Sequence, residues 1–161
     1  MKLMKATVTI VLFSLMTGCA SVNMAPQQQS TTAKQFAAPD EGKAGIYVFR
    51  KDSSYGAALK KDIWIDGKCL GQSARGVFFY RQVEGDREHE IATASEFSPN
   101  AITLTTKAGR NYYVQQYIKM GVFSGGASLR QHNDASGKCE VSRLEIARSG
   151  SCRGLRWGRK C

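Results

Sequence analysis

The stretch KDIWIDGKCLG, residues 61–71, constrains the fold more than any other part of the chain. Apolar side chains alternate along it, so a strand directs Ile63 to one face and Trp64 to the other. An Asp-Gly pair follows, and this pair favours a tight hairpin turn because glycine accepts the positive φ angle that the turn requires. The sequence therefore predicts a β-hairpin in which Ile63 faces Leu70 and Trp64 faces Cys69.

The same alternation recurs at intervals of roughly ten residues, with turn signals between the stretches. The stretches are AGIYVFR, GVFFYRQV, EHEIATA, AITLTTK and NYYVQQYIKM, and a short one follows the glycine-rich GVFSGG. This pattern predicts an all-β fold, an antiparallel β-sandwich of about 7–8 short strands over residues 44–147. The segment GKCEVSRLEIARS, residues 137–149, fits a strand or a short C-terminal helix equally well. Disordered tails are expected on both sides of the domain.

The first 18 residues have the build of an export signal, with Lys2 and Lys5 before an uncharged apolar run. The run is about half the ~20 residues that a membrane-spanning helix needs. It ends in Leu15 to Cys19, which resembles the lipobox of bacterial lipoproteins, although Met16 stands where leucine is usual. The resemblance implies cleavage between Gly18 and Cys19 and attachment of diacylglycerol and a further acyl chain such as palmitate to Cys19.

By the same resemblance, the absence of aspartate after Cys19 implies the outer membrane, with the domain facing the periplasm. Residues 19–43 are rich in Gln, Ser, Thr, Ala and Pro and have few large apolar side chains, which is typical of disorder. We therefore expect a flexible tether that reaches ~25–30 Å from the membrane.

The net charge is +10, and its surplus lies at the C-terminus, where residues 148–161 contain five basic residues and no acid. Export argues against nucleic acid as a partner. Arg153, Arg156 and Arg159 are therefore candidates for binding anionic lipids or envelope polymers. A basic tail without any partner is the alternative.

Besides Cys19 the chain has Cys69, Cys139, Cys152 and Cys161, an even number that predicts disulfides in an oxidising compartment. Of the three pairings, Cys152 with Cys161 and Cys69 with Cys139 is favoured, because the first pair closes a short loop. No C-x-x-C motif is present, which argues against thioredoxin-like and zinc-ribbon sites.

The chain contains little that points to catalysis. His89 and His132 are the only histidines, and a nucleophilic pair with Cys69 or Cys139 is formally available. No metal-ligand spacing is present, and GVFSGG lacks the order of a phosphate-binding loop. The sequence therefore predicts no catalytic residue, cofactor or metal. Large aromatic side chains on both strand faces, including Trp64, Tyr113 and Tyr117, are candidate contact residues.

The stretch from Ile46 to Ala147 resembles a bacterial family of domains of unknown function found mostly on lipoproteins. The matching features are IYVFR, IWIDGKCLG, GVFFYRQV, HEI, TKAGRNYYVQQ and GGASLRQ. The hairpin also resembles PEGA-type surface sandwiches. The chain departs from the family in a longer turn before His89, and the resemblance brings no catalytic residues.

We therefore expect a non-enzymatic, lipid-anchored envelope protein that binds or scaffolds an unknown envelope protein or polymer. A small periplasmic hydrolase or thiol enzyme is one alternative. A binder of anionic envelope polymers through the basic tail is another.

Overall fold

The computed structural model describes residues 21–153 and forms two packed β-sheets with two short helices on one side. The elements are α1 (Gln27–Ala33), β1 (Lys43–Arg50), β2 (Lys61–Ile65), β3 (Lys68–Ser73), β4 (Val77–Glu84), β5 (Glu88–Thr93), β6 (Asn100–Thr105), β7 (Asn111–Lys119), β8 (Gly126–His132), α2 (Asp134–Ser142) and β9 (Glu145–Ile146). Sheet A has the order β8-β7-β1-β4-β9, and sheet B has the order β3-β2-β5-β6. The predicted β-sandwich is confirmed, with nine strands in the described range.

Sheet A is not purely antiparallel, so that part of the expectation is wrong. Strand β1 pairs antiparallel with β4 but parallel with β7, and β9 pairs parallel with β4. The chain leaves β4 for sheet B, forms the β5–β6 hairpin there, and returns to begin β7 at the end where β1 begins. Parallel neighbours require such a crossover through other structure.

Strand β1 is buried on both faces, which places it at the centre of the molecule. Ile46 and Val48 point into the inner core between the two sheets. Tyr47 and Phe49 point to the outer face of sheet A, where they pack with residues of β4, β7 and α2. The large apolar side chains on the two faces of β1 thus pack into two separate cores. Full burial of one such side chain stabilises the folded state by about 1.5–3 kcal/mol.

The predicted β2–β3 hairpin is confirmed, with one correction to its register. Asp66 and Gly67 both have positive φ in the turn, and Trp64 pairs with Cys69 as expected. Ile63, however, pairs with Gly71 because a β-bulge leaves Leu70 without a partner. Leu70 is nevertheless fully buried in the inner core.

The flexible tether expected over residues 19–43 is wrong for the described part, residues 21–43. Residues 22–40, which we call the N-terminal strap, pack along sheet A. Val22 packs against the inner core, and Met24 forms a bridge with Ala147. Ser30 is buried and donates a hydrogen bond to Glu145. The strap has little apolar surface of its own, but it orders because it covers the preformed aromatic face of sheet A.

The C-terminal segment contains both structures that the sequence left open: helix α2 ends at Ser142 and β9 follows. The chain then crosses to sheet B, where the Gly150 backbone N–H donates to the Leu70 carbonyl at 2.9 Å. The tail predicted from residue 148 is therefore ordered as far as Arg153, and residues 154–161 lie outside the described range.

The disulfide joins Cys69 to Cys152, so both predicted pairs are wrong. The segment after β9 crosses to the edge strand β3, and this places the Cα atoms of Cys69 and Cys152 6.0 Å apart. Cys139 is exposed and free on α2, on the outer side of sheet A and away from sheet B. Sheet A separates it from Cys69, which sequence spacing does not reveal. Cys161 lies outside the described residues.

Candidate functional site

Three tyrosines lie side by side on the outer face of sheet A. Tyr47 of β1 is in register with Tyr80 of β4 and with Tyr113 of β7. The ring of Tyr47 is 4.5 Å from that of Tyr80 and stacks on that of Tyr113 at 5.1 Å. Phe36 of the strap packs against two of these rings at 5.5 and 6.1 Å. Cross-strand aromatic pairs of this kind stabilise the sheet and fix its outer surface.

The tyrosine hydroxyls are held neutral. Burial, reinforced by the neighbouring tyrosines, raises the pKa of Tyr47 well above the usual range of a phenol. Burial and then the nearby Asp134 do the same for the pKa of Tyr113, and burial also raises the pKa of the half-buried Tyr80. The Tyr47 hydroxyl donates to the Ala33 carbonyl at 2.8 Å, which ties α1 to the sheet. The Tyr113 hydroxyl is buried without a hydrogen-bond partner in the described structure.

A cleft of about 720 Å³, which we call the α1 cleft, opens between helix α1 and this aromatic face. Tyr47 and Tyr80 form its floor, α1 forms one wall, and residues 37–40 form the other. The Asp40 backbone N–H donates to the Gln82 side chain at 2.9 Å, which ties this second wall to β4. Its remaining lining combines apolar groups with amide and hydroxyl groups, namely Pro26, Ala33, Ile146, Gln28, Gln29 and Thr32. Pockets of this size that combine apolar surface with convergent polar groups are typical ligand sites.

A second unusual surface lies at one end of the sandwich, where the β5–β6 and β7–β8 connections meet. We call it the apolar loop end. Phe97, Met120, Val122 and Phe123 expose 74–88% of their area there. The rings of Phe97 and Phe123 contact each other edge-on at 6.3 Å. Exposed apolar side chains grouped in this way mark interaction surfaces.

Glu96 holds the β7–β8 loop in shape. Its carboxylate accepts hydrogen bonds from the backbone N–H groups of Val122, Phe123 and Ser124, at 2.7 Å for the first and the last. These bonds, led by the one from Ser124, lower the pKa of Glu96. The glycine-rich loop is thus fastened by a residue that sequence reasoning missed. A single glutamate 26 residues upstream gives no local signal of this contact.

The predicted contact residues do not form one surface. Trp64 and Tyr113 are buried, at 3% and 0% exposure, so they belong to the cores rather than to a surface. Tyr117 is half-buried beneath Arg130, whose guanidinium lies 5.4 Å from the ring centre. Arg153 is exposed, and its backbone N–H donates to Asp62. Cys19, Arg156 and Arg159 lie outside the described residues.

Neither histidine is hydrogen-bonded to a thiol in the described structure. Buried His89 bonds Asp66 through Nδ1 at 2.6 Å and the Glu84 carbonyl through Nε2 at 2.8 Å, which links two turns. Cys69 is in the disulfide, so it is no nucleophile. Among residues 21–153 no group of His, Cys, Asp and Glu is placed to hold a metal ion.

His132 has a partner that the sequence reasoning missed. Its Nδ1 lies 2.9 Å from the Ser136 hydroxyl, and its Nε2 lies 2.8 Å from Gln115 Oε1. Burial first, and then Arg130, lowers the pKa of His132, which favours the neutral ring that accepts the serine proton. The sequence signal for this contact is that His132 and Ser136 are four residues apart, on either side of Asn133, the N-cap of α2.

Residues 40–127, from the end of the strap to the start of β8, match the model of a family described as "Protein of unknown function (DUF2846)". A protein of Haemophilus influenzae described as uncharacterized is 47% identical over 133 residues, which cover 83% of this chain and 78% of that protein. No solved structure is significantly similar to the chain. Neither helix in residues 21–153 is long and apolar enough to cross a bilayer.

Proposed function

The chain belongs to the DUF2846 family of proteins of unknown function, and we propose that it is a lipid-anchored protein of the bacterial cell envelope whose β-sandwich binds a ligand. The α1 cleft carries this proposal. It combines a neutral aromatic floor with amide and hydroxyl groups at its rim. Such a lining suits a ligand with an apolar body and hydrogen-bonding ends, for example a peptide segment.

The proposed anchor is diacylglycerol on Cys19, with the outer membrane as the destination and the domain facing the periplasm. The lipobox-like end of the signal supports the anchor. The Cys69–Cys152 bridge supports export, because disulfides persist in oxidising compartments and are rare in the cytosol. Mass spectrometry of the mature protein tests the anchor, since an unmodified N-terminus or one other than Cys19 would rule it out.

Two adjacent threonines of α1 allow a matched test of the cleft. Both side chains are exposed, but Thr32 lines the cleft and its neighbour Thr31 does not. A photo-crosslinking phenylalanine analogue placed at position 32 in cells is expected to give a discrete adduct. The same analogue at position 31 is expected to give none. No adduct from position 32, or the same adducts from both positions, would refute the cleft as the binding site.

The Ser136–His132–Gln115 chain favours hydrolysis as a second candidate function. A neutral histidine that accepts the proton of a serine hydroxyl is the arrangement that activates a serine nucleophile. Neither Ser136 nor His132 lines the α1 cleft. A fluorophosphonate probe that labels the protein, but not its Ser136→Ala variant, would establish this function. Equal labelling of both, or of neither, would dismiss it.

A further inference from the structure

We propose that the apolar loop end rests on the surface of the lipid bilayer and inserts Phe97 and Phe123 into it. This inference rests on the proposed acylation of Cys19 and adds how the domain is oriented. Three observations carry it: the length of chain left for an anchor, the end of the sandwich where that chain emerges, and the chemistry of that end.

The docked strap leaves almost no free chain between the anchor and the domain. Val22 packs against the inner core, and the Asn23 carbonyl accepts a hydrogen bond from the Arg148 backbone N–H at 2.8 Å. Ala20 and Ser21 alone separate Cys19 from Val22. Three residue steps span at most ~10 Å, in place of the ~25–30 Å of a free tether. A domain held this closely to its acyl chains touches the headgroups with one of its surfaces.

The chain emerges at the same end as the exposed loops. Ser21 lies beside Lys60 of the β1–β2 connection and Gln72 near the end of β3. Leu59 of the same connection packs closely on Gly125 of the β7–β8 loop. A Cβ atom at position 125 would lie only 2.4 Å from the Leu59 side chain. The β5–β6 connection belongs to this end too, since the backbone N–H of Ala94 donates to the Asp62 carbonyl at 2.9 Å.

The loops at this end suit a membrane interface. Four large apolar side chains project into solvent, and the backbone N–H groups of residues 122–124 are already bonded to Glu96. Those N–H groups therefore lose no hydrogen bond when Phe123 inserts, which lowers the cost of placing irregular backbone at the membrane interface. Insertion of apolar side chains with an acyl chain beside them combines two anchoring signals.

The charges around the emerging chain complement anionic headgroups. Lys60, Arg148 and Arg153 line the cavity beside Ser21, and that lining contains no acid. Basic residues near an anionic membrane surface strengthen binding to it. The acids of this end are engaged within the protein: Glu96 with the loop, Asp52 with Arg75 at 3.0 Å, and Asp62 with the backbone of Arg153 at 2.9 Å.

The test uses the mature, full-length protein reconstituted into vesicles of phosphatidylethanolamine and phosphatidylglycerol. An environment-sensitive fluorophore is attached to Phe123→Cys or Met120→Cys, after Cys139 and Cys161 have been replaced by serine. The matched control is Lys107→Cys in the β6–β7 connection, an exposed position at the opposite end. Nitroxide-bearing lipids are expected to quench the labels at 120 and 123 several-fold more strongly than the label at 107.

The outcomes separate this inference from the function on which it rests. Equal quenching at both ends, with an acylated Cys19 found by mass spectrometry, overturns the orientation and leaves the anchor standing. Labels at 120 and 123 that are shielded only when other envelope proteins are present also overturn it and indicate a protein partner. A mature chain without acylation at Cys19 overturns both. Denaturation curves like that of the unlabelled protein confirm that the variants are folded.

Discussion

The disulfide between Cys69 and Cys152 should be the largest single-bond contribution to the stability of this domain. It closes a loop of 83 residues, for which the chain-entropy relation gives a loss of about 4.5 kcal/mol at 25 °C when the bridge is removed. A compact denatured chain reduces this figure. We therefore expect Cys152→Ser to lower the free energy of unfolding by about 2–4.5 kcal/mol.

Denaturant unfolding of a small set of variants measures this loss and tests the connectivity. Cys69→Ser should cost the same as Cys152→Ser, and the double variant should cost no more than either, because each removes the same bond. Cys139→Ser is the matched control and should stay within about 0.5 kcal/mol of the parent, since that thiol is exposed and free. A Cys139→Ser loss as large as that of Cys69→Ser would falsify the connectivity, as would additive losses in the double variant.

Three further changes test other contacts. Gly137→Ala should destabilise by about 1–3 kcal/mol in urea unfolding, because its Cβ would lie 2.1 Å from Tyr113 Cγ; a gain, as alanine gives in a free helix, would contradict that contact. Folding lowers the pKa of Glu96, so the carboxylate keeps its bonds to the loop at any pH above the usual pKa of glutamate. These bonds are lost as the pH falls through the lowered pKa of Glu96. Glu96→Gln at neutral pH should therefore speed amide exchange in residues 120–125, and unchanged rates would refute the role. Trypsin should cut slowly after Lys34, whose ammonium group bonds Glu145 at 2.8 Å, and early cleavage there would show that the strap is not docked.

The sequence predicted the features that depend on neighbours along the chain. Alternation identified the strands, and the Asp-Gly pair identified the hairpin with Trp64 opposite Cys69. Order in the strap was missed because QQQSTTA buries little by itself, and its burial depends on an aromatic surface formed by three other strands. The bulge at Leu70 was missed for a similar reason, since the inner core rather than the turn determines it.

The candidate site was less predictable than the fold. Each of Tyr47, Tyr80 and Tyr113 stands out as an aromatic residue within its own strand. They lie side by side only because the strand order is β7-β1-β4. This order includes a parallel pair, β1 with β7, which a chain of consecutive hairpins would not form. Glu96 acts through contacts with backbone amides that lie 26 or more residues away along the chain, which composition and periodicity do not encode.

The bridge between Met24 and Ala147 has a consequence for how the molecule folds. It pairs the first described segment with nearly the last, so the strap gains its full docking surface only after the C-terminal part of the domain has folded. Contacts this distant in sequence also slow folding, because the chain loses much entropy before they form. A chain in which Ala147 has not yet reached Met24 holds the strap only by its contacts with Tyr47, Gln82 and Asn111, so we expect the joining of the two chain ends to be the last step of folding.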